Sequence, residues 1–161
     1  MKNTNLIKSF IHAACGFADA FKRERNLRIH LSFANLVLVF AAVYGLDRNG
    51  FGILILTVTA VIFAELMNSA VEKAVDTATS KYRFDAGHAK DFGAAATLVS
   101  AIGAVCVGIA LFGDLKRIRQ ACIIIFTSPL LLTVFVILLA VDVLMIMYPK
   151  FIKRHRKRKE I

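Results

Sequence analysis

The sequence has little proline and little cysteine, and it lacks a recognisable leader peptide. Only two prolines interrupt the chain, so long helices can form without a break. The three cysteines show no CxxC or metal-ligand spacing, which excludes a disulfide framework and a zinc site. They are Cys15, Cys106 and Cys122. Charges are scattered through the N-terminal stretch, so we expect no cleavable signal peptide and insertion through the spans themselves.

The chain is far more apolar than a soluble domain of its size. It has 161 residues, of which 58% are hydrophobic, and its mean hydropathy is +0.66. A soluble core of this length cannot bury so many apolar side chains, whereas a bilayer solvates them and requires backbone groups to bond within helices. We therefore predict one compact all-α membrane domain, located as a multi-pass protein in the inner (plasma) membrane.

Acidic residues are scarce, with 11 against 21 lysines and arginines, and the formal charge is +10. The basic residues cluster in the first thirty positions, a central polar segment, the turn at 116–119 and the C-terminal tail. Basic clusters that flank apolar spans are typical of contacts with anionic headgroups. No soluble domain is left to carry a groove-reading element, so we expect no nucleic-acid partner.

Apolar periodicity predicts an N-terminal amphipathic surface helix followed by four spans. Residues 5–25 place apolar side chains at helical spacing. The spans are predicted at Leu31–Leu46, Phe51–Ala70, Gly93–Phe112 and Ala121–Tyr148, the second continuing as helix to about Ala78 and the fourth requiring tilt or a kink. The positive-inside rule puts the polar segment at 79–90, the N-terminus and the basic tail on the cytoplasmic side.

Polar side chains gather on one face at the inner end of the second span. At 100° per residue, Glu65, Asn68, Glu72 and Asp76 share that face. Glu72 and Asp76 alone could be solvated residues past the interface, but Glu65 lies inside the apolar run. Ionisable groups there are costly unless paired, hydrated or bound to metal, so a functional cluster is indicated.

Hard carboxylate oxygens suit Mg²⁺, which takes one or two protein carboxylates together with water and nucleotide phosphate. Such a site favours phosphoryl transfer, with Lys90 as a phosphate-binding cation and Glu24 as a further acidic ligand. No G-x-x-x-x-G-K-[ST] loop or kinase Gly-rich loop is present, so neither usual nucleotide cradle is available. The residues by themselves indicate no more than a divalent-metal site on the cytoplasmic face.

Three motifs extend this interpretation: Glu24-Arg25-Asn26, Glu65-x-x-Asn68-Ser69-Ala70-Val71-Glu72-x-x-x-Asp76 and Ala89-Lys90-Asp91-x-x-Ala94-Ala95-Ala96. In this order and spacing, the chain closely resembles the bacterial integral-membrane diacylglycerol kinase and undecaprenol kinase family. The resemblance spans roughly residues 5–113 and implies a homotrimer with composite active sites between subunits. It also implies ATP as phosphoryl donor, Mg²⁺ as cofactor and a membrane lipid alcohol as substrate.

The resemblance implies roles for individual residues. Glu65 matches the general base, with Asn68 supporting it as a second catalytic residue, and Glu24 and Glu72 match metal ligands. The nucleotide-binding set implied is His12, Glu24, Glu72, Tyr82, Lys90 and Asp91.

The run from Lys22 to His30 resembles the undecaprenol branch more than the diacylglycerol branch, so undecaprenol is the favoured substrate and diacylglycerol the alternative. Usual small members of the family end near the third span. We therefore divide the chain into a lipid kinase membrane domain at 1–113 and an additional transmembrane helix with a basic cytoplasmic tail at 114–161.

Two non-enzyme functions compete with this prediction. In a small ion or proton transporter, Glu65, Glu72 and Asp76 would form a relay, but no other span contributes a charged residue to the outer half of the membrane. An inert scaffold whose tail binds anionic lipid leaves the deep Glu65 unexplained.

Overall fold

The computed structural model of the chain describes residues 6–78 and 84–159, with side chains of the last helix described as far as Met147. Within these residues it forms six helices: α1 (Leu6–Arg23), α2 (Arg25–Tyr44), α3 (Arg48–Ala78), α4 (Phe84–Leu111), α5 (Leu115–Thr127) and α6 (Pro129–Lys159). Four of them, α2, α3, α4 and the Pro129–Met147 part of α6, are long and apolar enough to cross a membrane. The predicted all-α membrane architecture is confirmed.

Helix α1 is the predicted amphipathic surface helix. Ala20 is its only buried residue, while Leu6, Phe10 and Phe17 are each more than 40% exposed. Large apolar side chains exposed along a helix with basic residues between them are typical of a helix that lies in the membrane interface.

The first span begins earlier than hydropathy predicts, at Arg25 rather than Leu31. Glu24 is extended, with φ −92° and ψ 114°, so it separates α1 from α2 and serves as the N-cap residue of α2. The polar residues 25–30 therefore form the first turns of α2. At the other end, Gly45 has φ 72° and closes the helix, with the Leu46 amide donating to the carbonyl of Ala41 over 3.1 Å.

Helix α3 runs unbroken for 31 residues to Ala78, as the absence of glycine and proline over its second half predicts. It packs along much of its length on α4. None of the α4 residues is buried, although this helix is 28 residues long.

The apolar stretch 121–148, predicted as one span, is divided between two helices at Ser128. This residue is extended, with φ −92° and ψ 111°, because the ring of Pro129 disfavours helical backbone in the residue before it. The fourth span therefore starts at Pro129, and α5 is a separate helix of 13 residues.

Helix α2 lies at the centre of the remaining contacts. It touches α1, α3, α5 and α6. The start of α5 is held against the α2–α3 turn by Arg117, whose guanidinium donates to the carbonyls of Tyr44 at 3.2 Å and Gly45 at 2.6 Å. The same group lies 4.4 Å from the centroid of the Tyr44 ring. The C-terminal segment is thus packed on the first span.

Candidate active site

Two predicted site residues, Glu65 and Asn68, are buried one turn apart on α3. Glu65 is 2% exposed and Asn68 is 9% exposed. The Oε2 atom of Glu65 and the Oδ1 atom of Asn68 have no hydrogen-bond partner among the described residues. Buried acceptors without a partner cost free energy. Two of them side by side indicate that a bound ligand donates hydrogen bonds here or that the Glu65 carboxyl carries a proton.

Asn68 is pressed against α4 at Gly93. A Cβ atom added to Gly93 would stand 2.6 Å from Asn68 Oδ1 and 3.5 Å from Asn68 Cα. The distance to the backbone is an ordinary contact, whereas the Asn68 amide would have to move to make room for a Cβ atom. Glycine at position 93 therefore leaves room for the Asn68 amide. The Asn68 side chain is therefore positioned by α4 as well as by its own helix.

Glu24 joins the site from the link between α1 and α2. Its Oε1 atom lies 3.5 Å from Lys73 Nζ on α3, and its side chain is 26% exposed. Glu72 is exposed on α3, two turns after Glu65. Both Glu24 and Glu72 lie within electrostatic range of Glu65. One chain thus brings three of the predicted acidic residues together on or near the C-terminal half of α3.

Arg28 fixes α1 relative to α2. It is 2% exposed and donates to the backbone carbonyls of Phe21 at 2.7 Å and Lys22 at 3.2 Å, which are near the C-terminus of α1. Cations at a helix C-terminus satisfy its free carbonyls and complement its dipole. This contact holds the α1–α2 link, and with it Glu24, over the end of α3.

The surface of α1 carries its own ion pair. Arg23 Nε lies 2.7 Å from Asp19 Oδ1, and this hydrogen-bonded guanidinium holds the pKa of Asp19 below its usual range. Lys73 on α3 acts on Asp19 in the same direction. The last turn of α1 therefore lies near α3.

The remaining predicted residues are less closely assembled. Lys90 on α4 pairs with Asp76, eleven residues beyond Glu65 on α3. His12 on α1 and Asp91 on α4 are exposed, and no hydrogen bond or ion pair within the described residues involves either. Tyr82 lies outside the described residues.

An apolar groove between α2, α3 and α4 ends beside this site. Its volume is about 320 Å³, and its walls are almost entirely aliphatic and aromatic. On α3 it runs from Leu54 to Ile62, one turn short of Glu65, and His30 lines it on α2. A hydrocarbon chain fits such a groove, and a polar head on that chain would meet Glu65.

The acidic residues present are suitable for a divalent cation that also binds phosphate. No group of three or more His, Cys, Asp or Glu side chains close enough to hold a metal occurs in the described residues. Mg²⁺ usually needs only one or two carboxylates when a nucleotide supplies the other oxygens. Glu24 and Glu72, as hard oxygen donors at the polar end of α3, fit that requirement.

Three groups that the structure adds to the site were not among the predicted site residues: Asn26, His30 and Gly93. Asn26 and His30 are four residues apart on α2, and both are close enough to the Glu65 carboxyl to act on it electrostatically. Their i, i+4 spacing in the sequence indicates that they share one face of α2. Which neighbouring helix that face meets depends on how α2 packs. For Gly93 the sequence offers no signal beyond the glycine itself.

Comparison with known proteins identifies the family of the chain. A family model described as prokaryotic diacylglycerol kinase matches residues 11–112. A Synechocystis protein named diacylglycerol kinase is 40% identical over 105 residues, covering 65% of this chain and 60% of that protein. The Bacillus subtilis undecaprenol kinase is 33% identical over 105 residues, covering 65% of this chain and 85% of the relative.

A third relative, the Escherichia coli (strain K12) diacylglycerol kinase, is 34% identical over 102 residues, covering 63% of this chain and 84% of the relative. No solved structure matches the chain. Since the family model spans more than half of the sequence, the chain belongs to the prokaryotic diacylglycerol kinase family of lipid kinases.

Proposed function

We propose that the protein transfers the γ-phosphate of ATP to the hydroxyl group of a membrane lipid alcohol, with undecaprenol as the substrate and diacylglycerol as the alternative. The observation that carries this proposal is the apolar groove that ends one turn from the buried, unpaired carboxylate oxygen of Glu65. A lipid tail in the groove brings its hydroxyl head to that carboxylate.

In this reaction Glu65 accepts the proton of the lipid hydroxyl as a new bond forms between its oxygen and the γ-phosphorus. The bond from the γ-phosphorus to the bridging oxygen breaks, and ADP leaves with that oxygen. Asn68, one turn away, orients the reacting groups through its amide. Most of the acceleration in phosphoryl transfer comes from positioning and charge stabilisation, which a buried site with fixed polar groups supplies.

Glu24 and Glu72 would hold Mg²⁺, which neutralises phosphate charge when it is bound. Lys90 and Asp91 on α4, His12 on α1 and Tyr82 of the connecting segment would contact the nucleotide. Of these residues, Lys90 pairs with Asp76 at the polar end of α3, where a water-borne nucleotide and a membrane-borne hydroxyl can meet. The active site would lie on the cytoplasmic face of the inner (plasma) membrane.

The two candidate substrates come from the names of relatives that match this chain over similar lengths. The run 22–30, which supplies Glu24, Asn26, Arg28 and His30, supports undecaprenol. The product of undecaprenol phosphorylation, undecaprenyl phosphate, would serve as a carrier for cell-wall precursors.

The decisive experiment measures transfer from γ-labelled ATP by the purified, detergent-solubilised protein to undecaprenol and diacylglycerol presented side by side. We expect label mainly on undecaprenol, with transfer lost when Mg²⁺ is chelated. Label on diacylglycerol would keep the reaction and reverse the substrate, and label on neither would overturn the proposed activity.

Glu65→Gln is the matched variant, because the amide keeps the size of the side chain but cannot take the proton. We expect transfer to fall by at least about a hundredfold while nucleotide binding persists, as for loss of a general base. Wild-type turnover by Glu65→Gln would overturn the role of Glu65 as the base.

A further inference from the structure

The C-terminal segment lies beyond the residues that the family model matches, yet it makes a polar contact inside the membrane span. Asp142 on α6 is 3% exposed, and its Oδ1 atom accepts a hydrogen bond of 3.3 Å from Asn35 Nδ2 on α2. Its Oδ2 atom has no partner within the described residues. An ionisable side chain within a membrane span is energetically unfavourable, so its presence indicates a functional role.

Asn35 lies on the face of α2 opposite the active site. It is nine residues after Asn26, which at 100° per residue places the two side chains half a turn apart. It is five residues after His30, which places those two about 140° apart. Asn26 and His30 lie on the side of α2 that is near Glu65, whereas Asn35 contacts α6. Any rotation of α2 therefore changes both contacts together.

Helix α2 has a second contact with the C-terminal segment, at its C-terminal end. Arg117 of the C-terminal segment binds the carbonyls of Tyr44 and Gly45, nine and ten residues after Asn35. These two contacts are about 14 Å apart along the axis of α2. Together they fix both the rotation and the axial position of α2.

We propose that Asp142 is a positioning residue of the kinase. Through Asn35 it holds α2 in the rotation that directs Asn26 and His30 at Glu65, so that the segment after residue 113 is part of the catalytic apparatus. This inference rests on the proposed lipid kinase activity. It also predicts that loss of the Asp142 contact loosens the N-terminal half of α2, an effect that can be measured without an activity assay.

The test compares Asp142→Ala, Asp142→Asn and the neighbouring control Val141→Ala in the full-length protein in lipid nanodiscs. Displacing reacting groups by about 1 Å can cost up to a hundredfold in rate, so we expect Asp142→Ala to lower kcat about tenfold. Asp142→Asn should stay within about twofold of wild type, because its amide oxygen still accepts from Asn35. Val141→Ala, at a half-exposed position, should not change kcat.

A reciprocal exchange separates positioning from general destabilisation. Asn35→Asp alone should lose activity, because it places a second carboxyl group against that of Asp142. Asn35→Asp combined with Asp142→Asn should regain activity, because the pair again has one donor and one acceptor. A drop in thermal stability with kcat intact in Asp142→Ala, or no rescue by the exchange, would overturn the proposal.

Hydrogen exchange of peptides covering residues 24–34 provides the readout independent of activity. We expect faster exchange there in Asp142→Ala and wild-type exchange in Asp142→Asn. If the wild-type protein transfers no phosphate but these peptides respond as expected, the lipid kinase function fails while the contact of α6 with α2 stands. Unchanged exchange in every variant would overturn the positioning role.

Discussion

At the scale of single residues, the site depends on which groups surround Glu65. Its burial and unpaired Oε2 atom distinguish it from Glu72, which is exposed on the same helix. His30 lines the apolar groove and lies within electrostatic range of Glu65. In the proposed reaction, a lipid hydroxyl that approaches Glu65 from the groove would come near the His30 ring.

We therefore predict that His30→Ala raises the KM for the lipid alcohol about tenfold, which corresponds to the loss of one hydrogen bond of ~1.4 kcal/mol. The KM for ATP should not change, because the proposed nucleotide contacts do not include His30. Steady-state kinetics with each substrate varied in turn measures both constants.

Thr57→Ala is the control for His30→Ala. Thr57 also lines the groove, but its hydroxyl donates to the carbonyl of Ile53 in its own helix at 2.8 Å. Equal effects of the two substitutions on the KM for lipid would contradict a specific role for His30.

At the scale of helices, the contact of α3 with α4 is the tightest point of the site. Gly93 allows the two helices to approach at Asn68, as small residues do in many membrane helix pairs. By contrast, a Cβ added to Gly103 on the same helix would meet no atom of the described residues within 4 Å. The two glycines therefore form a natural pair for comparison.

We predict that Gly93→Ala destabilises the protein by about 1–3 kcal/mol, because the added methyl forces the Asn68 amide out of its position. Activity should fall as well, since Asn68 is displaced. Gly103→Ala should leave stability and activity unchanged. Thermal unfolding in detergent and the transfer assay measure these effects, and a tolerated Gly93→Ala with wild-type activity would disprove the constraint.

At the scale of the whole molecule, α4 suggests how chains assemble. None of its residues is buried within one chain, and Lys90 is engaged with Asp76 rather than directed at Glu65. A free α4 surface is compatible with the proposed homotrimer, in which α4 of one subunit would complete the site of another. Symmetric closed assemblies are the usual form of homo-oligomers.

Mixing inactive subunits tests this assembly. If Glu65 and Lys90 of one site come from different chains, co-reconstituting Glu65→Gln with Lys90→Ala should restore about a quarter of wild-type activity by random assortment in closed rings. Either variant alone should remain inactive. Light scattering of the detergent complex should report three chains, and a mixture no more active than its components would contradict composite sites.

The sequence by itself determined the surface helix, the four spans and the acidic face of the second span. Hydropathy and a 3.6-residue period depend only on local sequence, so helical spacing alone places Glu65, Asn68 and Glu72 on one face. It did not determine where α2 begins, because the break at Glu24 is a single extended backbone conformation that hydropathy does not report. The pair Ser128–Pro129 did signal a break in the last apolar stretch, but not that the break separates two helices.

Only the tertiary structure decided which faces meet. The approach of Gly93 to Asn68, the proximity of His30 to Glu65 and the hydrogen bond of Asn35 to Asp142 depend on the rotation of each helix against its neighbours. In a membrane protein nearly every side of a span is apolar, so hydrophobic pattern cannot select the packed face. Small residues and rare polar contacts, formed between residues up to 107 positions apart, make that selection instead.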